Sequence, residues 1–466
     1  MDGAYRHQWK MWVLMGVLLC AGISASAAGT FYVVPGGTGA TGTSWADAFG
    51  TIQVAVNAAS TAGGGEVWVK VGAYTGSASP IVAMADGVSL YGGFSGTETA
   101  RDARDWKANP TIVDGENAYR CVTGASNATL DGFTITKGHV ESDGGGGMFN
   151  NYCSALTVTH CMFTENSILA QSLTEYGGGG AILNISSSAT FTDCSFIANS
   201  AVVESGDING GAINNHGSTA TLFSNCTVLS NLASAPNGVA RGGALFNVSP
   251  LVNCIVAGNT ATGHTAYGGG LYTMSDFSQV TNCTFTANSA LASNFACGGA
   301  LYLTGMFLGL TNGIVYGNTA SNDYNEIAGN CLISYSCVRD GFSGTGNIAQ
   351  DPLFIDGTDG GNGFDLRLQV GSPCINAGTD TSSTAPASVA DIIGVTRPQN
   401  LVYDMGAYEF ASLPLVAFSA TPVNGVLPLE VTFSDESVSN SIPINGWAWD
   451  FGDGDRKKDL YVEKAY

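Results

Sequence analysis

The sequence predicts an all-β protein built as a right-handed parallel β-helix, and three observations favour this fold. Two short signatures alternate from about residue 144 to residue 320 and recur every ~30 residues, the spacing of a solenoid. Gly accounts for 64 of the 466 residues and charged residues for only 11%, which is typical of many tight turns and few helices. Hydrophobic residues make up 45% of the chain, which argues against disorder. The right hand is expected because crossovers between parallel strands nearly always turn that way.

The two signatures keep strict alternation along the chain. The first is Gly-Gly followed by a small or apolar residue, and its copies are Gly146-Gly147-Met148, Gly179-Gly180-Ala181, Gly210-Gly211-Ala212, Gly242-Gly243-Ala244, Gly269-Gly270-Leu271 and Gly298-Gly299-Ala300. The second is Cys-x-apolar-x-x-Asn, and its Cys and Asn residues are Cys161 and Asn166, Cys194 and Asn199, Cys226 and Asn231, Cys254 and Asn259, and Cys283 and Asn288. A sixth copy ends in Asn318 and has Gly313 in place of Cys. Period-two alternation between the signatures predicts short strands, which bury their apolar face by stacking copy on copy.

Stacking at one register predicts two ladders. The Asn row can pass amide hydrogen bonds from coil to coil at a turn. The Cys row is most simply an inward core ladder, because Cys is among the most buried residue types. Disulfide or metal binding by the ladder is the alternative; parallel side chains meet poorly for a disulfide, and no Cys-x-x-Cys spacing occurs. Outside the ladder, Cys331 and Cys337 are the candidates for a disulfide.

The paired signatures resemble the Gly-Gly-Ala-[Ile/Leu] and Phe-x-x-Asn repeats of the chlamydial polymorphic outer-membrane proteins. Six copies of each element carry the resemblance, with Val in place of Phe in half of them. Members of that family are surface-exposed β-helical adhesins and autotransporters, so the resemblance implies a surface-exposed solenoid. No transmembrane-barrel pattern follows at the C-terminus, where the family has one.

The N-terminal region predicts export and a cap. Arg6 and Lys10 precede an apolar run from Met11 to Ile23, and Ala25-Ser26-Ala27 supplies the small residues of a cleavage site. A lipoprotein signal at Cys20 is the alternative. Apolar residues between Trp45 and Ala62 predict a helix, which would shield the open edge of the first coil. Residues 87–98 resemble the opening coils of secreted bacterial β-helix proteins.

Two further resemblances lie after the repeats. Asp351-Pro352-Leu353-Phe354, the run Gly371-Ser372-Pro373-Cys374-Ile375-Asn376-Ala377-Gly378, and Asp404-Met405-Gly406-Ala407-Tyr408-Glu409 resemble a choice-of-anchor Q region, expected here as a closing cap. Trp447-Ala448-Trp449-Asp450-Phe451-Gly452-Asp453-Gly454 resembles a PKD domain, an immunoglobulin-like sandwich that stops short at Tyr466. Asp450, Asp453 and Asp455 offer a weak calcium alternative to ordinary turn chemistry. The predicted divisions are a signal peptide at 1–27, an N-terminal cap and first coils at 28–112, β-helix repeats at 113–345, a C-terminal cap at 346–411 and a partial PKD domain at 412–466.

Candidate function residues lie between each ladder Asn and the next Gly-Gly, where insertion loops are predicted on one side of the solenoid. Tyr176, Arg241, Tyr267 and Phe295 fall at the ends of these insertions and predict a ligand face that stacks sugar rings or meets a protein. Loop packing is the alternative for all four. The enzyme case is weaker, because Arg241 is the single Lys or Arg between Gly138 and Val338. The carboxylates of Glu165, Asp193, Glu204, Asp207 and Asp276 are predicted to be scattered through different registers. His160, His216 and His264 are single residues, each expected to be a turn or surface His rather than a catalyst.

The sequence therefore predicts a secreted or cell-surface, non-catalytic β-helix protein, an adhesin or polysaccharide-contacting scaffold with a PKD spacer. A polysaccharide lyase or glycoside hydrolase is the alternative. A formal net charge of −21 disfavours nucleic acid and anionic lipid surfaces as partners. The expected partner is an extracellular polysaccharide or a protein on a host or neighbouring cell. No cofactor, no catalytic or metal-ligating residue and no membrane span after signal removal are predicted, and a monomer is expected.

Overall fold

A computed structural model shows a parallel β-solenoid of about 7 turns. It describes residues 29–465 except 174–176, 219–220, 277, 323–325, 359–362, 383–388, 400–401, 412–416, 423, 425–429, 438–448, 451–455 and 458–460. The prediction of a parallel β-helix is confirmed. Each repeat contributes one strand to each of four sheets, which the chain visits in the order A, B, D, C.

Sheets A and B form two walls of the solenoid. Sheet A consists of β1 (Gly29–Val33), β2 (Gly65–Lys70), β5 (Val88–Phe94), β8 (Thr129–Asp131), β12 (Leu156–Thr159), β16 (Ala189–Thr192), β21 (Leu222–Ser224), β25 (Leu251–Val252), β29 (Ser278–Thr281), β33 (Leu308–Thr311) and β37 (Cys331–Ser334). Sheet B consists of β3 (Gly72–Tyr74), β6 (Thr111–Asp114), β9 (Phe133–Thr136), β13 (Met162–Thr164), β17 (Ser195–Ile197), β22 (Thr227–Leu229), β26 (Ile255–Ala257), β30 (Thr284–Thr286), β34 (Ile314–Tyr316) and β38 (Cys337–Val338). All of their pairings are parallel, so identical repeat positions lie above one another.

Sheets C and D complete each coil. Sheet C consists of β4 (Val82–Ala83), β7 (Val122–Thr123), β11 (Met148–Asn151), β15 (Ile182–Ile185), β20 (Ile213–His216), β24 (Leu245–Phe246), β28 (Leu271–Thr273), β32 (Leu301–Leu303) and β36 (Ile327–Ala328). Sheet D consists of β10 (His139–Val140), β14 (Ser167–Ser172), β18 (Ser200–Ser205), β19 (Ile208–Asn209), β23 (Leu232–Arg241), β27 (Thr260–Tyr267), β31 (Ser289–Cys297) and β35 (Thr319–Ala320). Loops are predicted where sheet D lies, and this prediction is wrong. Alternation of small apolar residues, as in Ala201 and Val203, builds strands there and buries a second apolar cluster.

The core consists of in-register apolar rows. Phe163 and Phe196 stack with ring centroids 5.2 Å apart, and Phe191 and Phe223 with centroids 4.6 Å apart. The five thiols of the Cys row are all buried: Cys161, Cys194, Cys226, Cys254 and Cys283. Burial holds the pKa of Cys161, Cys226 and Cys283 well above the ordinary thiol value. Such thiols pack as small hydrophobes and are poor nucleophiles.

The Asn row lies at the turn from sheet B to sheet D and is fully buried. Each Asn Nδ2 donates to the Oδ1 of the Asn in the next coil at 2.8 to 3.0 Å, from Asn166 through to Asn318. The backbone N–H of each Asn donates to the same oxygen, and Nδ2 also donates to a backbone carbonyl of the preceding coil. The row therefore satisfies buried turn groups that water cannot reach.

A second Asn row lies at the turn from sheet A to sheet B and was not foreseen from the sequence. Asn225, Asn253, Asn282 and Asn312 each have φ near +52°, the left-handed region that Asn tolerates well. Neighbouring members are joined by Nδ2-to-Oδ1 hydrogen bonds of 3.0 to 3.2 Å. The available signal was an Asn directly before the Cys or Gly in the last four copies of the second signature.

The first Asn row ends on a carboxylate. Asn318 Nδ2 donates to Glu326 Oε2 at 2.7 Å, so Glu326 takes the place of the next Asn. Arg339 Nε lies 2.9 Å from Glu326 Oε1 and its Nη2 donates to the Asn318 carbonyl. Burial raises the pKa of Glu326 to about 7 even though Asn318 and Arg339 favour the charged form.

This raised pKa predicts a pH-dependent stability. The folded state holds the Glu326 proton more tightly than the unfolded chain, so its contribution is full below the unfolded value of 4.5 and is lost as pH rises through about 7. We expect the free energy of unfolding to fall between pH 5 and pH 8, and Glu326→Gln to flatten that fall. Asp404, whose pKa is also raised to about 7 by burial, retains the rest of the slope. Urea unfolding at four pH values measures this, and an unchanged slope in Glu326→Gln contradicts it.

The helix predicted between residues 45 and 62 is present as α1 (Ile52–Thr61), with Thr51 accepting a hydrogen bond from the Val54 N–H as N-cap. Its inward face carries Ile52, Ala55, Val56 and Ala59, which belong to the main core. Two short 3₁₀ helices span Trp45–Asp47 and Arg101–Ala103.

The region after β38 folds back along the outside of sheet B, which a closing cap alone would not do. It contains the antiparallel pair β39 (Phe354–Asp356) and β40 (Asp365–Leu368). The Asn312 side chain bonds to both the N–H and the carbonyl of Thr379, and Thr284 Oγ1 accepts from the Ala407 N–H. Leu366 and Ala407 pack on Ile255 of β26. The acidic motif holds a cation: Arg397 donates to Glu409 and to the carbonyls of Asp404 and Gly406.

The predicted disulfide between Cys331 and Cys337 is not present, and no disulfide joins the cysteines of the described residues. Cys331 lies in sheet A and Cys337 in sheet B of the same coil, on different walls. Cys337 instead meets Cys374, whose pKa is raised by a hydrogen bond between the two thiols and by burial. The Cys337–Cys374 contact anchors the folded-back region to the last coil.

Residues 417–465 contain antiparallel strands. β41 (Phe418–Thr421), β42 (Glu430–Asp435) and β45 (Tyr461–Ala465) form one sheet, and β43 (Trp449–Asp450) pairs with β44 (Arg456–Lys457). The rings of Phe418, Phe433 and Trp449 lie within 6.3 Å of one another. The Asp450 side chain, Asp453 and Asp455, weighed for calcium, lie outside the described part of the chain.

Candidate ligand-binding surface

Three of the four predicted ligand-face residues lie together at the end of sheet D, and Tyr176 lies outside the described residues. Arg241 and Tyr267 occupy the same register of β23 and β27. Phe295 of β31 pairs with Thr265, two residues before Tyr267, and the Tyr267 and Phe295 ring centroids are 6.2 Å apart. Arg241, Tyr267 and Phe295 belong to three successive parallel strands of sheet D, so the distance between strands sets the spacing of their side chains.

Arg241 is not a lone cation. Its Nη2 donates to Asp207 Oδ2 at 2.9 Å, and its Nη1 lies 3.4 Å from Asn209 Oδ1 on β19. Both side chains of the Arg241–Asp207 pair are partly exposed. The pair therefore offers a fixed donor and a fixed acceptor at the surface, with little net charge.

Aromatic residues of sheet C extend this surface, and they are not among the residues predicted from the sequence. Tyr302 lies 4.5 Å from Tyr267 between ring centroids, and it stacks on Tyr272 at 5.4 Å and 11°. We call Tyr267, Tyr272, Phe295 and Tyr302 the aromatic ledge. Tyr272 is 5% exposed and supports the others, whereas Phe295 is 40% exposed. The signal that could have found them is a Leu-Tyr pair shortly after a Gly-Gly pair, at Leu271-Tyr272 and at Leu301-Tyr302.

Burial raises the pKa of Tyr267 and Tyr302, with the Cys297 thiol adding to the shift. Both phenols therefore stay protonated at neutral pH and act as neutral hydrogen-bond groups. Flat rings bordered by an Arg–Asp pair can stack on sugar faces and bond to hydroxyl groups.

A second cluster lies at the turn from sheet A to sheet B, in coils that precede those of the aromatic ledge. His160 is a turn residue with φ 50°, and its Nδ1 lies 2.9 Å from Asp131 Oδ1 and its Nε2 3.8 Å from Asp193 Oδ2. Asp193 thus lies beside His160 in the next coil. These contacts were not foreseen, because residues 131, 160 and 193 lie in consecutive coils of the fold but about thirty residues apart in sequence.

Glu165, Glu204 and Asp276 lie elsewhere on the solenoid. Among the described residues, no group of three or more His, Cys, Asp or Glu side chains is placed to hold a metal ion. No helix in the described part of the chain is both long and apolar enough to cross a membrane.

Comparison with known proteins gives no information on the role of either cluster. No protein-family model, no curated protein and no solved structure matches the chain.

Proposed function

We propose that the chain is an extracellular or cell-surface β-helix scaffold that contacts polysaccharide through the aromatic ledge without turning it over there. The observation that carries this proposal is the set of partly exposed rings at the end of sheet D, beside the Arg241–Asp207 pair. Rings held by parallel strands are spaced along the solenoid axis, about 4.8 Å per coil, and suit a linear polymer better than a compact ligand.

The flanking regions complete the proposal. Residues 1–27 act as a signal peptide, α1 covers the first coil, and the region 346–411 is of the choice-of-anchor Q type. The antiparallel strands within 417–465 support a partial PKD domain that serves as a spacer. The repeats are of the polymorphic outer-membrane-protein type, and adhesion to a host or neighbouring cell is the biological setting.

Glycan-array binding of the purified chain tests the ledge. We expect Tyr267→Ala and Tyr302→Ala each to weaken polysaccharide binding about tenfold or more, because losing an aromatic anchor costs about 1.4 kcal/mol or more. Tyr152→Asn is the matched control, since Tyr152 is 72% exposed elsewhere on the solenoid and has a left-handed φ that Asn tolerates. Equal binding by wild type and both ledge variants contradicts the proposal.

A further inference from the structure

The repeat supplies an internal comparison at the turn from sheet A to sheet B. The left-handed residue of that turn is Asn in four successive coils, at Asn225, Asn253, Asn282 and Asn312. In the two preceding coils the same position holds His160 (φ 50°) and Asp193 (φ 53°). Because Asn adopts the same left-handed conformation in the four following coils, the geometry of this turn does not require the ionisable residues His160 and Asp193.

His160 is held from behind by a buried ion pair. Asp131 Oδ1 lies 2.9 Å from His160 Nδ1, and Asp131 Oδ2 accepts from Arg104. Burial opposes the charge of Asp131, but hydrogen bonds from His160 and Arg104 outweigh it and leave the Asp131 pKa lowered. The Arg104 guanidinium packs against Gly132. A Cβ at position 132 would lie only 2.7 Å from Arg104 Nη1, so a larger residue there would displace the guanidinium. In the tautomer that donates Nδ1–H to Asp131, Nε2 presents its lone pair.

His160 lines a cavity of about 340 Å³, and its Nε2 lies on the side of Asp193, which also lines the cavity. Its lining includes Trp106, Lys107, Met162, Asp193 and His160 itself. The Trp106 ring stacks on the imidazole, with centroids 4.8 Å apart, and fixes the plane of the ring. The Lys107 side chain is exposed and its Nζ lies 5.0 Å from the Trp106 ring centroid, at the rim of the cavity.

Three of the 16 Lys and Arg residues of this acidic chain lie close together in sequence near the cavity. Arg101, Arg104 and Lys107 fall within one short excursion between β5 and β6. Arg101 pairs with Glu66 and Arg104 with Asp131, whereas no ion pair of Lys107 occurs within the described residues. An ammonium group at the rim and an oriented imidazole inside suit a substrate that carries a carboxylate next to an acidic C–H bond.

We propose that this cavity is a catalytic site for β-elimination in a uronic-acid polysaccharide, with His160 as the base and Lys107 as the group that binds the uronate carboxylate. His160 Nε2 removes the proton at C5 of the uronate. The electron pair of that C–H bond forms a C4=C5 double bond, and the C4–O4 glycosidic bond breaks. The imidazolium returns the proton to O4, so the products are an unsaturated uronate and a new hydroxyl end, without a co-reactant.

The other residues of the cluster have supporting roles. Asp131 and Asp193 stabilise the imidazolium that forms during the step, and Asp131 with Arg104 positions the ring. Asp131 and Arg104 are thus positioning residues, since neither reaches the cavity past His160. The groups that face His160 are Asp131 and Arg104 behind it, Thr159 beside it, Trp106 and Lys107 from the excursion, and Asp193 from the next coil.

Ultraviolet absorbance of unsaturated product, measured with polygalacturonate, alginate and chondroitin as substrates, tests the proposal on the full chain. We expect product from at least one of the three and none from a neutral β-glucan. His160→Asn should lower kcat about 100-fold or more and still fold, because Asn holds this turn in four other coils. Lys107→Ala should raise KM far more than it lowers kcat. Asp131→Asn should shift the pH profile of kcat, which a merely structural role would not do.

His264→Asn, which alters an exposed His on β27, should leave product formation unchanged. Absence of unsaturated product from all three uronates, cleavage without a double bond, or full activity of His160→Asn would each overturn the proposal. It does not depend on the ledge: Tyr267→Ala should still form product, and His160→Asn should still bind in the glycan array.

Discussion

Asn259→Ala should lower the free energy of unfolding by about 3–5 kcal/mol. Asn259 Oδ1 accepts from both the N–H and the Nδ2 of Asn231, at 2.9 Å each, and its own Nδ2 donates to Val228 and to Asn288. Alanine leaves two donors of Asn231 and the Val228 carbonyl without these partners, in a region with 0% exposure. Each unpaired buried polar group costs about 1–3 kcal/mol, and no water can enter to replace the amide.

Asn237→Ala is the matched control for this prediction. Asn237 lies on the neighbouring β23, is exposed, and makes one hydrogen bond to the Glu204 carbonyl at 2.9 Å. Its replacement should change stability by no more than about 0.5 kcal/mol. Urea unfolding gives the two free energies, and hydrogen exchange at the Asn231 amide locates the loss. A loss below about 1 kcal/mol in Asn259→Ala would mean that the row is dispensable.

Arg397→Met should cost about 3–5 kcal/mol at pH 8, because it leaves a buried carboxylate without its cation. The Arg397 and Glu409 side chains are 0% and 1% exposed, and Nη1 lies 3.0 Å from Glu409 Oε2. Burial raises the pKa of Glu409 and lifts that of Asp404 to about 7, even with Arg397 present. Removing the guanidinium raises both pKa values further.

The loss should shrink as the solution is acidified. Groups whose folded pKa is raised contribute stability below their unfolded pKa and lose it as pH rises through the folded value. At pH 5 the carboxyl groups of Asp404 and Glu409 in Arg397→Met take up protons, so the free-energy cost of burying them falls. Arg367→Met is the control, since Arg367 is 58% exposed and pairs with Asp365 at 2.6 Å; it should cost at most about 1 kcal/mol at either pH. Equal, pH-independent losses in the two variants would contradict this account.

The sequence predicted the solenoid well because its signals are local and repeated. Period-two alternation such as that of residues 189–196 needs only neighbouring positions to be recognised, and recurrence every ~30 residues places each strand on its copy. The helix was predictable for the same reason, although Val54 points outward and Ala55 inward. Sheet D was missed because its inward residues are mostly Ala, which carries little hydrophobic signal.

Contacts across coils were harder to foresee, and the candidate site depends on them. The ledge combines Tyr267 of sheet D with Tyr302 of sheet C, and the strands that carry them belong to neighbouring coils. Arg241 looked like a lone cation in the sequence, and Asp207 neutralises it from the coil before. The sequence shows each of these residues, but only the register of neighbouring coils shows which of them contact one another.

The repeated residues therefore determine the architecture, because short strands with identical turns bury their apolar rows by stacking in parallel on the next copy. The side chains for which we propose binding or catalysis depart from the repeat, and they acquire their partners through folding. His160 and Asp193 become a pair because consecutive coils lie about 4.8 Å apart. Asn253 meets the carbonyl of Ala390 across 137 residues of chain because the C-terminal region folds back on sheet B. The 137-residue separation carries no periodic signal, and the repeat period alone does not show that His160 and Asp193 contact each other, so both contacts appear only in the folded structure.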